Sequence, residues 1–581
     1  MAGLFLVEAR DRDFAEAALG AARAQFALHG FSGCSEHELG GWRLLHAPYI
    51  LGGPETLLVE GDDLVAVAGT LTCDGKMGRP ALEALLAMNP AELDWTRLGG
   101  QFVALVRRGG RSFLLTDYFA AFQLFHDAGM RFFSTSLLAA ANAMERLSFD
   151  AQGVYEFAFN VVPVGNDTVF AELKTLGPDR MVELEPDGVA LHSLRKPLPE
   201  PQEMPLEARI AAHRDRLMAV VGDHVREFGD GLYCPLSGGL DSRLVLAALR
   251  AAGARPRVYV YGGPDSADVR IAREIAAAQG FEIDWVDKEA WRALTPDAFP
   301  EQVERNFQVY DALPNYGELF ENGANAAARE ARHRGGALSA SGGCGEIYRN
   351  FFFLPDRRIS AAAVARAFYA RYAKGDVTNV FDEADFLRRI EDKILAALGR
   401  EGDRSRLPRP LIEQVYPRIR CRAVFGREIS LEARYGAYLM PFLDHQVVAQ
   451  AMWLPLGLKN AGRFEAMLLN AIDPALARMP SAYGHDFTGD PGRRHRLSEW
   501  ATRMRPVALR QRSYAIRRRL GPVADEHGGL LSRDYMGRVV DLEYPAMRRY
   551  FRTEFIADSG MMRRIANLEY LAARLGSKLR E

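Results

Sequence analysis

The feature that most constrains this chain is the heptapeptide at residues 236–242, which reads Leu-Ser-Gly-Gly-Leu-Asp-Ser. An apolar run at residues 231–235 precedes it, and a helix is predicted to begin near Asp241. Two adjacent glycines allow the backbone to turn tightly and to bring its N–H groups against an anion. The N-terminus of the following helix adds a partial positive charge. The sequence therefore predicts a strand–turn–helix unit with an anion-binding turn.

The polar side chains of this turn suit a nucleotide. Ser237 and Ser242 can donate hydrogen bonds to phosphate oxygens, and Asp241 offers the carboxylate that Mg²⁺ prefers beside phosphate. The turn contains no lysine, so it differs from the Gly-x-x-x-x-Gly-Lys-Ser/Thr loop of ordinary nucleoside triphosphatases. It is similar to the pyrophosphate loop of enzymes that cleave ATP between the α and β phosphates. The alternative is an ordinary glycine-rich turn of an α/β domain.

The composition limits the class of protein. A chain of 581 residues is too long for one hydrophobic core, so two or more domains are expected. The net charge of −2 argues against nucleic acid as a partner. No apolar run has the length of a membrane span, and the N-terminus lacks the pattern of a signal peptide. The five cysteines form no Cys-x-x-Cys pair, so we expect a cytoplasmic protein without a zinc site.

The residue pattern divides the chain into three parts. Residues 1–195 contain short β-type runs separated by turn dipeptides, with one helix predicted at residues 13–27. Residues 196–205 contain four prolines and predict an extended linker. In residues 206–581, helical stretches first alternate with apolar strands, which indicates βαβ units and a parallel sheet, and later dominate. Ligands of such sheets bind at the carboxyl ends of the strands, where the turn lies.

Two further segments accompany the turn. Residues 338–348 form a second glycine-rich segment, and residues 440–445 read Met-Pro-Phe-Leu-Asp-His. In this order the three segments resemble those of the asparagine synthetase family, and residues 98–102 and 115–117 resemble parts of its amidotransferase half. The resemblance implies an α/β protein with a β-rich, amidotransferase-like (Ntn-type) N-terminal domain. It also implies a C-terminal pyrophosphate-loop domain of the adenine-nucleotide α-hydrolase type, with a parallel sheet and added helices.

The resemblance further implies ATP and Mg²⁺ as cofactors. The nucleotide-binding residues that it implies lie in the turn, in one following strand and in the second glycine-rich segment: Leu236, Ser237, Gly238, Gly239, Asp241, Ser242, Val260, Ser341 and Gly342.

The chain departs from the family at its N-terminus. In the family, a cysteine exposed after methionine removal attacks glutamine. Here Ala2 follows Met1, so glutamine hydrolysis is not expected. Domains without this cysteine resemble those of β-lactam synthetases and of lasso-peptide macrolactam synthetases, in which a substrate amine replaces ammonia.

Two more departures concern the catalytic groups. Gly345 stands where the family has a metal-binding carboxylate, so Glu346 becomes the candidate second Mg²⁺ ligand beside Asp241; Glu346 could equally begin a helix. The family's lysine is missing from residues 480–487, which leaves Tyr483 and His485 as candidate acid–base groups. Other candidate cations are Lys459 and Arg463, and Asp444 is expected to cap a helix.

The expected function is that of an ATP-dependent carbon–nitrogen ligase. Such an enzyme adenylates a carboxylate and transfers the acyl group to an amine or ammonia. The expected partners are therefore a small-molecule, sugar-acid or peptide carboxylate and an amine, without a membrane; a homodimer is left open. The alternatives are a macrolactam-forming cyclase of ribosomal peptide biosynthesis and a non-catalytic pseudoenzyme that binds nucleotide or a partner. The arginine-rich residues 493–519 form either a basic docking surface or a solvated helical face.

Overall fold

The computed structural model describes residues 3–194, 196, 203–287, 293–315, 318–507, 509–510 and 528–580. The strands are β1 Gly3–Glu8, β2 Ser35–Glu38, β3 Trp42–Ala47, β4 Leu57–Glu60, β5 Asp63–Cys73, β6 Leu98–Arg108, β7 Arg111–Thr116, β8 Phe125–Asp127, β9 Phe132–Ser134, β10 Leu147–Ser148, β11 Leu173–Thr175, β12 Arg180–Glu185, β13 Gly188–Ser193, β14 Leu232–Pro235, β15 Arg257–Gly262, β16 Ile283–Asp287, β17 Leu338–Ala340, β18 Tyr438–Leu439 and β19 Leu579–Arg580.

The α-helices are α1 Arg12–Leu28, α2 Gly78–Ala87, α3 Leu137–Ala143, α4 Ala151–Asn160, α5 Leu206–Phe228, α6 Asp241–Ala251, α7 Ala267–Gln279, α8 Phe299–Val309, α9 Ala324–His333, α10 Ala361–Val364, α11 Glu383–Ala397, α12 Arg409–Glu413, α13 Gly426–Glu432, α14 His445–Met452, α15 Leu456–Lys459, α16 Arg463–Ile472, α17 Pro474–Ala477, α18 Arg493–Met504, α19 Arg533–Met536 and α20 Ser559–Leu575. The segment Tyr416–Phe425 is π-helical, and Gly345–Tyr348 is a 3₁₀ turn.

Two six-stranded antiparallel sheets occupy the first third of the chain. Their strand orders are β11-β8-β9-β1-β3-β2 and β13-β12-β7-β6-β5-β4. The longest pairing joins β5 to β6, and both strands are almost entirely buried. Helix α1 begins after Asp11, whose side chain accepts a hydrogen bond from the N–H of Phe14. The β-rich character and the first helix predicted from the sequence are both observed.

A five-stranded parallel sheet forms the centre of the later part of the chain, in the order β16-β15-β14-β17-β18. Helix α6 connects β14 to β15, and helix α7 connects β15 to β16, as the alternating pattern predicts. The mixed α/β prediction is confirmed. Because β14 lies between β15 and β17, the turn after β14 opens at the carboxyl edge of the sheet, where neighbouring loops converge.

Buried carboxylates and arginines join the antiparallel sheets to the parallel-sheet region. Asp311, just after α8, is fully buried. Its carboxylate accepts hydrogen bonds from the Ser136 hydroxyl (2.7 Å) and from the N–H groups of Leu137 (2.7 Å) and Leu138 (2.9 Å). The guanidinium of Arg434 lies 3.0 Å from the same carboxylate. One side chain therefore caps α3 and neutralises an arginine that follows α13.

The charge of Asp311 is stabilised where it lies. Burial acts to raise the pKa of Asp311, but Arg434, His29 and Arg427 together hold it well below its usual range. The junction therefore contains a carboxylate that stays ionised inside the protein.

Some sequence predictions extend beyond the described residues. Residues 197–202 lie outside them, so the linker at 196–205 and the boundaries 1–195 and 206–581 stay predictions. Of the arginine-rich stretch, residues 493–504 form α18, which has no buried side chain, whereas residues 508 and 511–519 lie outside the described part. None of the described helices combines the length and the apolar content that crossing a membrane requires.

We expect Asp311→Asn to lower the free energy of unfolding by about 3–5 kcal/mol, because it leaves buried arginines without their counter-charge. Urea unfolding followed by circular dichroism measures this change. The control Asp297→Asn removes the charge of an acid whose side chain is 86% exposed, and we expect no measurable change.

The pH dependence of the same variant provides a second measurement. The pKa of Asp311 is lower in the folded protein than in the unfolded chain, where it is about 3.9. Its stabilising contribution is therefore complete above that value and is lost as the pH falls below it. The stability difference between the wild type and Asp311→Asn should shrink as the pH falls from about 4 towards 2; a constant difference would contradict the ion-pair explanation.

Candidate functional site

The Ser-Gly-Gly turn occupies residues 236–240, between the end of β14 and the first residue of α6. Leu236 is buried, and its N–H donates a hydrogen bond to a carbonyl of β15 (2.8 Å). The N–H of Ser237 donates to the hydroxyl of Ser242 at 3.0 Å, and the two hydroxyl oxygens are also 3.0 Å apart. The predicted strand–turn–helix unit is observed, with both serines on the same side of the turn.

Glycine is required at position 238 because other segments approach it closely. The carbonyl of Gly238 accepts the N–H of Ala482 (2.9 Å), and a Cβ on Gly238 would lie 2.8 Å from the Ala482 methyl group. The N–H of Gly238 donates to Oδ1 of Asp268 at 2.8 Å. This amide is therefore engaged by the side chain of Asp268.

The N-terminus of α6 lies immediately beyond the turn. Leu240 precedes this 11-residue helix and offers no polar side chain, and no side chain caps it by a hydrogen bond. The first N–H groups of an α-helix have no partners within the helix, and they carry the positive end of its dipole. Such an uncapped end suits a phosphate group.

Arg349 connects the turn to a buried acid. Its Nη2 donates to Oδ1 of Asp241 at 2.6 Å, and its Nε donates to Oε2 of Glu465 at 2.8 Å. Glu465 lies on α16 and is fully buried, whereas Arg349 and Asp241 keep 21% and 23% of their side chains exposed. Neither Arg349 nor Glu465 was predicted from the sequence. The only sequence signal for this contact was the position of Arg349, three residues after Glu346. Glu465 is 116 residues away from Arg349 in the chain, so no local pattern connects the two.

The carboxyl groups here are in excess of the nearby positive charge. Burial raises the pKa of Asp241 well above its ordinary value; Arg349 opposes this rise, and Glu465 adds to it. Burial also raises the pKa of Glu346, and the charge of Asp241 raises it further. Three carboxyl groups therefore share a single guanidinium group at the mouth of the turn.

The second glycine-rich segment packs against the start of α6. A Cβ on Gly342 would lie 2.7 Å from the backbone nitrogen of Ser242. The hydroxyl of Ser341 accepts the N–H of Gly343 (3.0 Å) and so shapes the loop. A Cβ on Gly345 would overlap the carboxylate of Asp241, so a side chain does not fit there while Asp241 has this position.

The residues present do not fit a Mg²⁺ ion held by Asp241 and Glu346. Asp241 is paired with Arg349, and Glu346 accepts a hydrogen bond from the hydroxyl of Tyr416 (2.6 Å). Gly345 supplies no oxygen from a side chain. In the described parts of the chain, no group of three or more His, Cys, Asp or Glu residues is arranged to hold a metal ion. No reaction step is therefore assigned to a metal held by these side chains.

Of the two candidate acid–base residues, the structure brings Tyr483 to the turn. Its hydroxyl lies 3.7 Å from where a Cβ on Gly239 would be, and burial raises the pKa of Tyr483. His485 instead contacts its own segment, with Nδ1 3.2 Å from the carbonyl oxygen of Tyr483. Val260 is buried in β15 and packs in the apolar core.

The other candidate cations are engaged elsewhere. Lys459 is fully buried, with Nζ 2.9 Å from Glu413, and Arg463 pairs with Asp490 at 3.2 Å. Asp444 caps α14 through two backbone N–H groups, which confirms its predicted role. Arg349 is therefore the cation that the structure places at the turn, instead of either basic residue suggested by the sequence.

A pocket of about 270 Å³ opens beside the turn. Its lining residues come from the turn, from the residues just after the second glycine-rich segment, from the 480s loop and from α18, and they include Leu240, Arg349, Phe353, Tyr483, His495 and Glu499. Because α18 buries none of its own residues, this helix forms an exposed wall at the pocket mouth. The volume is close to the lower end of the range of about 300–1,000 Å³ that is typical of small-molecule sites.

No protein-family model and no curated protein matches the chain. Solved structures are similar to parts of it, among them these three. The "allosteric regulatory enzyme of purine biosynthesis" is 10% identical, covering 49% of this chain and 64% of that one, with a TM-score of 0.23. The glutamine phosphoribosylpyrophosphate amidotransferase from B. subtilis, complexed with ADP and GMP, is 11% identical over 67% and 79%, with a TM-score of 0.23. The glutamine-dependent NAD⁺ synthetase from Acinetobacter baumannii, in complex with ADP, is 18% identical over 33% and 40%, with a TM-score of 0.17.

We expect Gly342→Ala to destabilise the protein by about 1–3 kcal/mol, because the new methyl group meets backbone atoms of α6 that cannot move aside singly. The midpoint of urea unfolding measures this effect. The control is Gly457→Ala, where an added Cβ has no neighbour within 4 Å. An equal response of both variants would show that the second segment does not press on α6.

Proposed function

We propose that this chain is an ATP-dependent carbon–nitrogen ligase of the asparagine-synthetase type. It adenylates a substrate carboxylate and transfers the acyl group to an amine or to ammonia. The observation that carries the proposal is the Ser-Gly-Gly turn in front of an uncapped helix, with two serine hydroxyls in the turn and with Leu240 and Arg349 lining the adjacent pocket. In this proposal residues 206–581 form the synthetase domain, and residues 1–195 form an amidotransferase-like domain.

The turn supplies the donors that an ATP phosphate chain needs. The first N–H groups of α6 and the hydroxyls of Ser237 and Ser242 lie together at the carboxyl edge of the parallel sheet. The proposed nucleotide-binding set remains that of the sequence prediction, in the turn and at Ser341 and Gly342.

The chemistry balances without a further reactant. A carboxylate oxygen of the substrate attacks the α-phosphorus, the bond to the bridging oxygen breaks, and pyrophosphate leaves. The amine nitrogen then attacks the acyl carbon, the bond to the AMP oxygen breaks, and the nitrogen loses a proton. The raised pKa of Tyr483 keeps its hydroxyl protonated, so Tyr483 can donate a hydrogen bond to an oxygen on which negative charge develops.

The N-terminal region has a structural role in this proposal. The antiparallel sheets share one apolar core with the parallel-sheet region. In the proposed enzyme, residues 1–195 therefore support the synthetase domain.

We expect the purified chain to release AMP and pyrophosphate in equal amounts from ATP when it receives its carboxylate and hydroxylamine, a small substitute for the amine. Small acids, sugar acids and peptides form the test panel, and the hydroxamate product is detected with ferric iron. The double variant Ser237→Ala/Ser242→Ala should reduce the rate by about 100-fold or more, since it removes two donors to the phosphates. The control Ser405→Ala changes an exposed hydroxyl remote in sequence from the turn.

The products separate the candidate functions. A peptide that becomes cyclic in this assay would assign the macrolactam alternative, which is the same chemistry on a narrower substrate. Release of ADP and phosphate would contradict adenylation. ATP binding without turnover of any member of the panel would favour the non-catalytic alternative over the proposed ligase.

A further inference from the structure

The cluster of Asp241, Arg349 and Glu465 lies where the proposed nucleotide would place its phosphates. Asp241 is the first residue of α6, so a side chain bound to it is next to the uncapped helix end. Arg349 also lines the pocket beside the turn. The positively charged group that the structure places beside the proposed phosphate position is therefore the side chain of Arg349.

We propose that Arg349 is the phosphate-binding cation of this site, in the place where the resemblance implied a magnesium ion held by carboxylates. The proposal rests on the proposed nucleotide-binding function. It assigns to Arg349 an anionic ligand of the pyrophosphate class, bound without a divalent metal attached to the protein.

The contacts of Arg349 leave part of its guanidinium group free for such a ligand. Nε and Nη2 are bonded to Glu465 and Asp241, whereas Nη1 makes no hydrogen bond to any residue in the described ranges. The planar guanidinium group presents its donors in a fixed fork that matches the oxygens of a phosphate. Two carboxylates therefore hold the plane of the group while one nitrogen remains available at the pocket.

Glu465 fixes Arg349 from the buried side. Glu465 is fully buried, and its Oε2 accepts the hydrogen bond from Nε of Arg349. Removal of one partner from a buried pair leaves the other charge uncompensated. Glu465 is thus a positioning residue for Arg349.

The glycine at position 345 is consistent with this arrangement. The carboxylate of Asp241 occupies the space that a side chain at position 345 would need. Asp241 has turned onto Arg349, and a second metal-binding carboxylate at position 345 cannot coexist with that contact. Arg349 therefore supplies the positive charge at this site, and Gly345 leaves the space in which Asp241 contacts it.

The test measures binding, so it does not require the unknown substrate. Isothermal titration calorimetry with inorganic pyrophosphate, and then with ATP, is performed on the full chain in EDTA and in Mg²⁺. We expect the wild-type dissociation constant for pyrophosphate to differ by less than about threefold between the two conditions. Arg349→Gln should weaken binding in EDTA by about 10- to 100-fold, the usual effect of losing a charge-assisted hydrogen bond.

Three further variants distinguish a loss of binding from a loss of folding. Arg349→Lys keeps the charge and should retain part of the affinity. Arg349→Gln/Glu465→Gln removes the fully buried acid together with the arginine, so it should regain part of the stability that Arg349→Gln loses and still bind weakly. Arg250→Gln removes a guanidinium from the last turn of the same helix, where it pairs with Asp473, and should bind like the wild type.

The outcomes distinguish this proposal from the proposed function. Wild-type binding that requires Mg²⁺, or Arg349→Gln binding that equals the wild type in EDTA, would overturn the role of Arg349 and leave the nucleotide site standing. Failure of pyrophosphate and ATP to bind in either condition would overturn the proposed function, and the role of Arg349 with it.

Discussion

The buried carboxylate of Asp311 is the interaction on which the arrangement of the two sheet regions most depends. It caps α3 beside the antiparallel sheets and pairs with Arg434, which lies just before β18 of the parallel sheet. Arg427 of α13 lies within 3.3 Å of the same carboxylate. The π-helical segment Tyr416–Phe425 leads directly into α13. Its first residue, Tyr416, donates a hydrogen bond to Glu346 in the second glycine-rich segment. The junction at Asp311 is therefore connected to that segment as well.

A buried or partly buried carboxyl group paired with arginine also occurs at the turn, where the pKa of the carboxyl group shifts in the opposite direction. At Asp311 every nearby partner stabilises the ionised form, and its pKa is depressed. At Asp241 one guanidinium serves several acids, and the pKa is raised. A cluster in which every charge is paired, as at Asp311, suits a structural junction. A cluster with surplus negative charge beside a pocket, as at Asp241, is sensitive to the charge of a ligand that binds there.

Local patterns predicted much of this fold. The helices α5 and α7 lie in the part of the chain where helical stretches alternate with apolar strands, and the turn before α6 follows from two glycines between an apolar strand and an apolar helix. The role of Asp444 as a cap was readable because capping involves residues two or three positions away. Arg349 and Glu465 were not readable, because their contact spans 116 residues and neither forms a recognised motif. The packing of Ser136 on Asp311, over 175 residues, was hidden for the same reason.

The departure at position 345 acquires a physical meaning once the contact between Asp241 and Arg349 is known. In the sequence alone, Gly345 stands where the family has a metal-binding carboxylate, which suggests a nucleotide site that has lost a ligand. In the structure, the space beside Gly345 is filled by the carboxyl group of Asp241, which is paired with Arg349. A guanidinium group stays protonated at every physiological pH and needs no second protein ligand, so one arginine can replace both a carboxylate and the cation it would hold. Loss of the carboxylate is therefore the condition for this arrangement and not evidence that the turn has lost its ligand.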